Sequence, residues 1–288
     1  MSDDRGAEVT RCDVCFRHCD LKKGDTGFCG ARIGLSDSVV PSNYGRITSL
    51  ALDPIEKKPL HRFYPGSKIL SAGSYGCNLR CPFCQNSEIS WGEEARNIAV
   101  TSETIAPEEL VSIAERQQKN GNIGIAFTYN EPLIGYEFVR DTAKLSHGIG
   151  MKNVIVSNGT ASLSVLDELV PYIDAMNIDL KCFDADVYSK VLGGSLEMTM
   201  EFIEEAVKHA HVELTCLIVP GLNDSPEKMR EMTAWIASLK DGKDIPFHVS
   251  RFFPCFHMTD RPATPVSMVY ELAEVARESL NYVYTGNC

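Results

Sequence analysis

The chain has 288 residues, 44% of them hydrophobic and 23% charged, with 28 Lys and Arg against 39 Asp and Glu for a net charge of −11. That composition excludes a disordered chain, and its acidity argues against a broad phosphate-binding face, so no nucleic-acid partner is expected. No run reaches the ~18 apolar residues of a membrane span, and polar Met1 to Thr10 lacks a signal-peptide core, so a cytoplasmic protein without membrane association is expected.

Eleven cysteines without a secretory signal do not read as a disulfide framework; they point to metal, cluster or thiol chemistry in a reducing compartment. Residues 1–68 hold four of them in a cysteine-rich, metal-binding segment of hairpins and loops. Cys12, Cys15, Cys19 and Cys29 fall within eighteen residues, a compact four-thiol set suited to structural zinc or to an auxiliary iron–sulfur cluster. Little apolar sequence surrounds them, so a metal would supply much of the segment's folding energy. The stretch Lys57, Lys58, His61 and Arg62 reads as a solvated loop, with docking of an acidic partner as the alternative.

From Lys68 onward, apolar strands alternate with helical patterns. The expected strands are Ile69–Ser74, Ile123–Thr128, Val154–Ser157, Ala175–Leu180, Val212–Val219 and Phe247–Phe253. The expected helices are Pro107–Lys119, Leu133–His147, Ser162–Val170, Pro226–Leu239 with Ser225 or Asp224 as its cap, and Pro265–Leu280. Such alternation means parallel strands and right-handed crossovers. Residues 69–288 number 220, short of the ~250 of a closed eight-unit barrel. The expectation is therefore an α/β partial (β/α)6 TIM-type barrel, with a flavodoxin-like open sheet as the alternative.

The first strand runs into Gly76-Cys77-Asn78-Leu79-Arg80-Cys81-Pro82-Phe83-Cys84. Three thiolates on one loop make an odd zinc site, since structural zinc is four-coordinate and closed. They suit a [4Fe–4S] cluster with one iron left open. A zinc knuckle completed by a remote Cys or His is the competing reading. On the fourth strand, alternation puts Asn177, Asp179 and Lys181 on one face and Ile178 and Leu180 on the other. Three polar groups on one face of a central strand belong in a barrel interior holding a polar ligand, unless Asp179 and Lys181 form a purely structural pair. His248 and Arg251 lie three apart and cannot both point inward from a regular strand. Cys216, in an apolar strand, reads as core. Nothing resembles a nucleophile elbow or a His-Glu-x-x-His helix.

The spacing Cys77-x3-Cys81-x2-Cys84 after the first strand resembles the signature of the radical S-adenosylmethionine (SAM) superfamily. Cys84-Gln85-Asn86 is similar to the Cys-His-Asn of the pyruvate formate-lyase activating enzymes. Ala51 to Leu60, Phe127 to Pro132, His248 to Phe252 and Tyr282 to Asn287 resemble the AmmeMemoRadiSam-system proteins of that superfamily. The resemblance implies that Cys77, Cys81 and Cys84 hold a [4Fe–4S] cluster whose open iron binds SAM. Reductive cleavage then yields a 5′-deoxyadenosyl radical that abstracts hydrogen from a substrate, in the activating-enzyme form a partner protein. An electron donor such as flavodoxin or ferredoxin is implied as well. Glu131 stands where the family carries a Gly-Gly-Glu-Pro-like motif, with Tyr129 and Asn130 replacing the glycines, so backbone contact with the SAM ammonium is weakened and Asn130 gains a side-chain role. The resemblance further places Ser157 and Asn158 beside SAM, Asp179 and Lys181 at its carboxylate and ribose, Phe83 over its adenine, and His248 or Arg251 against SAM or substrate. Val156 replaces an acid that in some relatives helps hold a monovalent cation. A continuation beyond Cys288 is expected. A cluster-bearing scaffold or redox sensor without SAM turnover is the alternative from another class.

Overall fold

The alternating apolar residues from Lys68 onward build one sheet, whose strands leave one row of side chains facing helices and the other facing a lumen. A computed structural model describes residues 9–91, 95, 97 and 104–288, so most of the stretch Met1 to Thr10 lies outside the described residues. Two short antiparallel hairpins come first, β1 (Val9–Arg11) with β2 (Asp20–Lys22) and β3 (Arg32–Gly34) with β4 (Val39–Pro41). The six expected strands follow as β6 (Lys68–Gly73), β7 (Asn122–Phe127), β8 (Lys152–Ser157), β9 (Ala175–Asp179), β10 (His211–Ile218) and β11 (Phe247–Arg251), all parallel to one another.

Two further strands extend the sheet. β12 (Val283–Gly286) adds a seventh parallel strand beside β11, and β5 (Ser49–Pro54) pairs antiparallel with β6, Leu52 opposite Leu70. The sheet thus begins within the first 68 residues. Its order, β12-β11-β10-β9-β8-β7-β6-β5, leaves β12 and β5 as its two edges, the arrangement of a partial α/β barrel.

The crossovers carry α1 (Pro107–Arg116), α2 (Tyr136–Gly148), α3 (Leu163–Leu169), α4 (Leu196–Ala206), α5 (Pro226–Ser238) and α6 (Val266–Arg277). Of these, α4 has no counterpart among the sequence expectations. Ser225 caps α5, its hydroxyl accepting from the Lys228 N–H at 3.3 Å, with Pro226 in the first turn. The outward row, including Leu70, Ile125, Ile155, Met176, Ile178, Leu214, Cys216 and Val249, packs on these helices in the main core, where Cys216 is fully buried. Among the described residues no helix is long and apolar enough to cross a membrane.

Part of the inward row is closed by an apolar cluster. Ile69, Ala126, Val154 and Ala175 meet Ile55, Leu60 and Phe63, so the segment 55–63 forms the floor of the lumen. Polar anchors fix it there. The Glu213 carboxylate on β10 accepts the His61 N–H at 3.0 Å and the Arg62 N–H at 2.7 Å, and the Asn177 side chain donates to the Pro59 carbonyl at 2.9 Å. The stretch 57–62 is therefore a solvated loop only at Lys57 and Arg62, which are exposed. Lys58 is 3% exposed and bonded to Asp53 at 2.9 Å, His61 is half-buried, and the Arg62 guanidinium lies 3.7 Å over the Tyr282 ring. The sequence pattern misled here because a cation beside a cation reads as surface, whereas Asp53, four to five residues earlier, offsets both.

Candidate active site at the C-terminal ends of the strands

The cysteine loop leaves β6 through Ser74 and Tyr75 and turns at Gly76, whose φ of +90° suits glycine. A Cβ there would lie 2.7 Å from the Cys29 carbonyl oxygen, so no larger residue fits without a shift. The loop is stitched down by Cys77 N–H to Cys29 O at 3.1 Å, Arg80 N–H to Leu192 O at 2.8 Å and His257 N–H to Pro82 O at 2.9 Å. Cys81 is buried, and Cys77 and Cys84 are half-buried, in a cluster with Leu79, Phe83, Tyr188 and Phe252. Burial pushes the Cys81 thiol up to about 11 and the Cys77 thiol well above its ordinary range. Donors converge on the Cys77 sulfur, the Leu79 N–H at 3.4 Å and the Asn158 amide at 3.7 Å. Phe83 packs edge-on to Phe252.

The strand ends surround this loop. Asn130, just past β7, accepts from the Ser74 N–H at 3.0 Å and donates to the Tyr75 and Gly76 carbonyls at 3.1 and 3.2 Å, so it braces the base of the loop. Glu131 is buried, and its carboxylate accepts from the Leu133 N–H (3.0 Å), the Ser157 hydroxyl (2.7 Å) and the Asn158 N–H (2.8 Å). These bonds tie β7 to the end of β8 while capping the short turn Pro132–Gly135. Burial outweighs them and raises the Glu131 carboxyl to about 7. The Asn158 side chain donates to Asn78 at 2.9 Å, within the cysteine loop.

On β9 and just past its end, Asn177, Asp179 and Lys181 face the lumen. Lys181 Nζ lies 2.8 Å from Asp179. Burial opposes the ammonium, but Asp179 and the nearby Cys81 outweigh it and hold the Lys181 pKa well above its ordinary value. Thr215 donates to Asn177 at 3.0 Å. His248 points inward to Glu213 at 2.6 Å and stacks on Tyr284. Arg251 does not join it; its guanidinium donates to the Thr264 carbonyl and lies over Phe253. While the outward row is sealed, the inward residues Val156, Asp179, Leu217, Ser250, Tyr284 and Gly286 are half-exposed. The inner wall between floor and loop thus stays partly accessible, with Asp179, Ser250 and Tyr284 among apolar Val156 and Leu217.

Several residues of this site escaped the sequence reading. Glu213 is fully buried and gathers His211 (3.0 Å) and His248; its charge in an apolar-looking strand was the available signal. Tyr129, expected only as a replacement for a glycine, has φ +74° and donates its hydroxyl to Asp53 at 2.8 Å. Cys255 reaches the Phe83 carbonyl at 3.3 Å, a fourth thiol beside the loop that spacing could not reveal. At the amino terminus, Cys12, Cys15, Cys19 and Cys29 line one pocket with Arg17, His18, Arg32 and Ile134. Arg17 connects that pocket to the loop by donating to the Asn78 carbonyl at 3.0 Å. Among the described residues, no three His, Cys, Asp or Glu side chains converge closely enough to hold a single metal ion.

The family model for the radical SAM superfamily matches residues 72–233, from β6 into α5. An uncharacterized protein of Methanocaldococcus jannaschii is 40% identical over 283 residues, 96% of this chain and 81% of its own length. The pyruvate formate-lyase 1-activating enzyme of Escherichia coli is 27% identical over 179 residues, 60% of this chain and 71% of the enzyme. Among solved structures, Streptococcus suis SuiB bound to S-adenosylmethionine shares the fold with a TM-score of 0.58 at 15% identity, over 74% of this chain and 48% of SuiB. A family match across more than half of the residues, joined to a relative similar along nearly all of them, means that the chain belongs to the radical SAM superfamily.

Proposed function

We propose that this enzyme cleaves SAM reductively at the Cys77–Cys84 loop and abstracts hydrogen from a substrate in the lumen, a glycyl segment of a partner protein as in its activating-enzyme relatives. The observation that carries this is the half-exposed inner wall, with Asp179, Ser250 and Tyr284 on it and Asp179 and Lys181 near Cys81, beside three buried or half-buried thiols. A closed structural barrel would have filled that space with side chains.

The donor set fits a [4Fe–4S] cluster. Three sulfurs leave a fourth corner open, and the two N–H groups aimed at Cys77 are of the kind that tune such clusters. Held by Cys77, Cys81 and Cys84, such a cluster would supply the electron for reductive cleavage of SAM. The protein's part is orientation and exclusion of water. Asp179 and Lys181 take the carboxylate and ribose end of SAM, Asn158 and Ser157 flank it, the backbone of 129–131 with Glu131 meets its ammonium, and Phe83 covers its adenine. His248 faces the substrate side, and Arg251, turned away, serves only the wall. Flavodoxin or ferredoxin is the electron donor, in a reducing compartment such as the cytoplasm.

Cys12, Cys15, Cys19 and Cys29 line one pocket without converging on a single-ion site, so they would hold a second metal centre, zinc or iron–sulfur, by closing around it. Metal analysis separates the two: about four irons per chain with zinc, or about eight without it.

Anaerobic, reduced protein is expected to convert SAM to 5′-deoxyadenosine, measured by chromatography, and Cys81→Ala to reduce that to background. Unchanged turnover in Cys81→Ala overturns the assignment. Deuterium passing from a labelled glycyl peptide into 5′-deoxyadenosine tests the substrate class.

A further inference from the structure

The turn that follows β7 is strained. The Asn130 N–H donates to the Thr128 carbonyl at 3.1 Å across Tyr129, whose φ is +74°. That bond and that angle belong to the left-handed γ-turn, which is rare because a side chain crowds the backbone there. Glycine adopts it freely, and glycine is what the family's motif carries at this point. Here a tyrosine holds the same kind of backbone, a strained one for a residue with a side chain.

Something must over-determine the turn, and the floor of the lumen supplies it. The Tyr129 hydroxyl donates to Asp53 at 2.8 Å. Asp53 is fixed in turn by Lys58 at 2.9 Å, a cation that also lies 4.7 Å over the Tyr129 ring. The ring is seated on Gly73, where a Cβ would come within 2.7 Å of it. Asp53 and Lys58 belong to the Ala51 to Leu60 motif, whose purpose the cluster and its ligands leave unexplained. From the other side, the Tyr129 carbonyl accepts from Asn86, just beyond Cys84, at 2.8 Å.

We infer that Asp53 and Lys58 act through Tyr129 as a clamp that holds the 128–131 turn in its glycine-like shape, and so positions the backbone that meets the amino-acid end of SAM. These three are positioning residues, and the inference rests on the SAM site proposed above. It explains how the chain dispenses with the two glycines: a tether on the side chain replaces freedom in the backbone.

The test titrates SAM into reduced, cluster-loaded enzyme and follows the EPR line shape, with iron per chain measured alongside. Tyr129→Phe keeps the crowded backbone but cuts the tether, so SAM affinity is expected to fall by about tenfold, equivalent to about 1.4 kcal/mol, at unchanged iron content. Tyr129→Gly removes the need for a tether and is expected to bind close to wild type. A ring needed only for packing would show the reverse order. Wild-type affinity in Tyr129→Phe, or equal weakness in Tyr129→Gly, overturns the clamp. If Tyr129→Phe loses iron, Asp53→Asn decides, weakened alone and rescued by adding Tyr129→Gly; absence of rescue overturns the clamp. A wild-type spectrum that ignores SAM overturns the site itself, a result separable from failure of the clamp alone.

Discussion

The two ends of the lumen are built on opposite principles. At the floor, apolar side chains interlock, and each charge the sheet turns inward meets a partner: Asp53 meets Lys58, and Glu213 meets two histidines and two backbone N–H groups. At the mouth, thiols are desolvated, the Glu131 carboxyl is pushed up to about 7, a tyrosine holds a left-handed turn, and the walls stay half-exposed. The floor minimises free energy locally; the mouth stores unfavourable terms where a ligand can relieve them. Barrel enzymes separate stability from chemistry in this way along their axis. Here the separation is not complete, because Asp53 at the floor reaches Tyr129 at the mouth.

The sharpest way to break the contrast is at Glu213. Its carboxylate is fully buried, and although burial alone would raise it, the His211 and His248 bonds and the two N–H donors bring it down to about 2. Glu213→Ala leaves four donors facing a cavity, and a loss of about 3–5 kcal/mol in urea-unfolding stability is expected. The sign with pH follows. A carboxyl depressed from 4.5 to about 2 stabilises the fold above pH 4.5 and loses that contribution as pH falls toward 2. Glu213→Gln should flatten this acid limb. A variant as stable as wild type, with the same acid limb, would place the anchor elsewhere.

Leu60 comes next. It is fully buried against the inward residues of the strand starts. Leu60→Ala should cost about 3 kcal/mol, for the lost transfer free energy and the cavity left behind. If the floor is structural and the mouth chemical, the cluster should still assemble with its full iron content, and urea unfolding should shift without loss of iron binding at low denaturant. Loss of iron at unchanged stability would reverse the roles assigned to the two ends.

How much of this was legible follows from the same contrast. The strands facing helices repeat with period two, so six of them, with the core role of Cys216, could be read from spacing. The cysteine loop was legible because its chemistry is local in sequence. The rest depends on partners far apart. β12 has four residues, Val-Tyr-Thr-Gly, too short and polar to signal a strand until β11 pairs with it. β5 reads as a loop because Asp53 and Pro54 interrupt its apolar pattern, and only pairing with β6 makes it part of the sheet. Lys58 looks solvated until Asp53 is seen to neutralise it in the floor. At the mouth, Asn130 and Glu131 carry their motif on the surface of the sequence, but their bonds to Ser74, Ser157 and Asn158 span between 26 and 56 residues.

The smallest expected effect probes the mouth through Glu131. Burial raises its carboxyl to about 7, with Asp179 across the lumen adding to the shift, so it is ionised at pH 8 and mostly neutral at pH 6. An ammonium ligand favours the ionised form, and SAM affinity should therefore weaken as pH falls through 7, by up to tenfold at pH 6 when about nine-tenths of the group is protonated. The contribution of Glu131 to stability has the opposite sign. Because the folded protein prefers the neutral acid, ionisation destabilises it as pH rises from 4.5 toward 7, so weaker binding at pH 6 cannot come from Glu131 loosening the fold. Glu131→Gln, which keeps the shape of the side chain, should bind SAM less well at pH 8 and show no change in affinity between pH 8 and 6. A wild-type profile that is equally flat would mean that the ammonium is met by backbone alone, leaving Glu131 with its other task, tying β7 to β8.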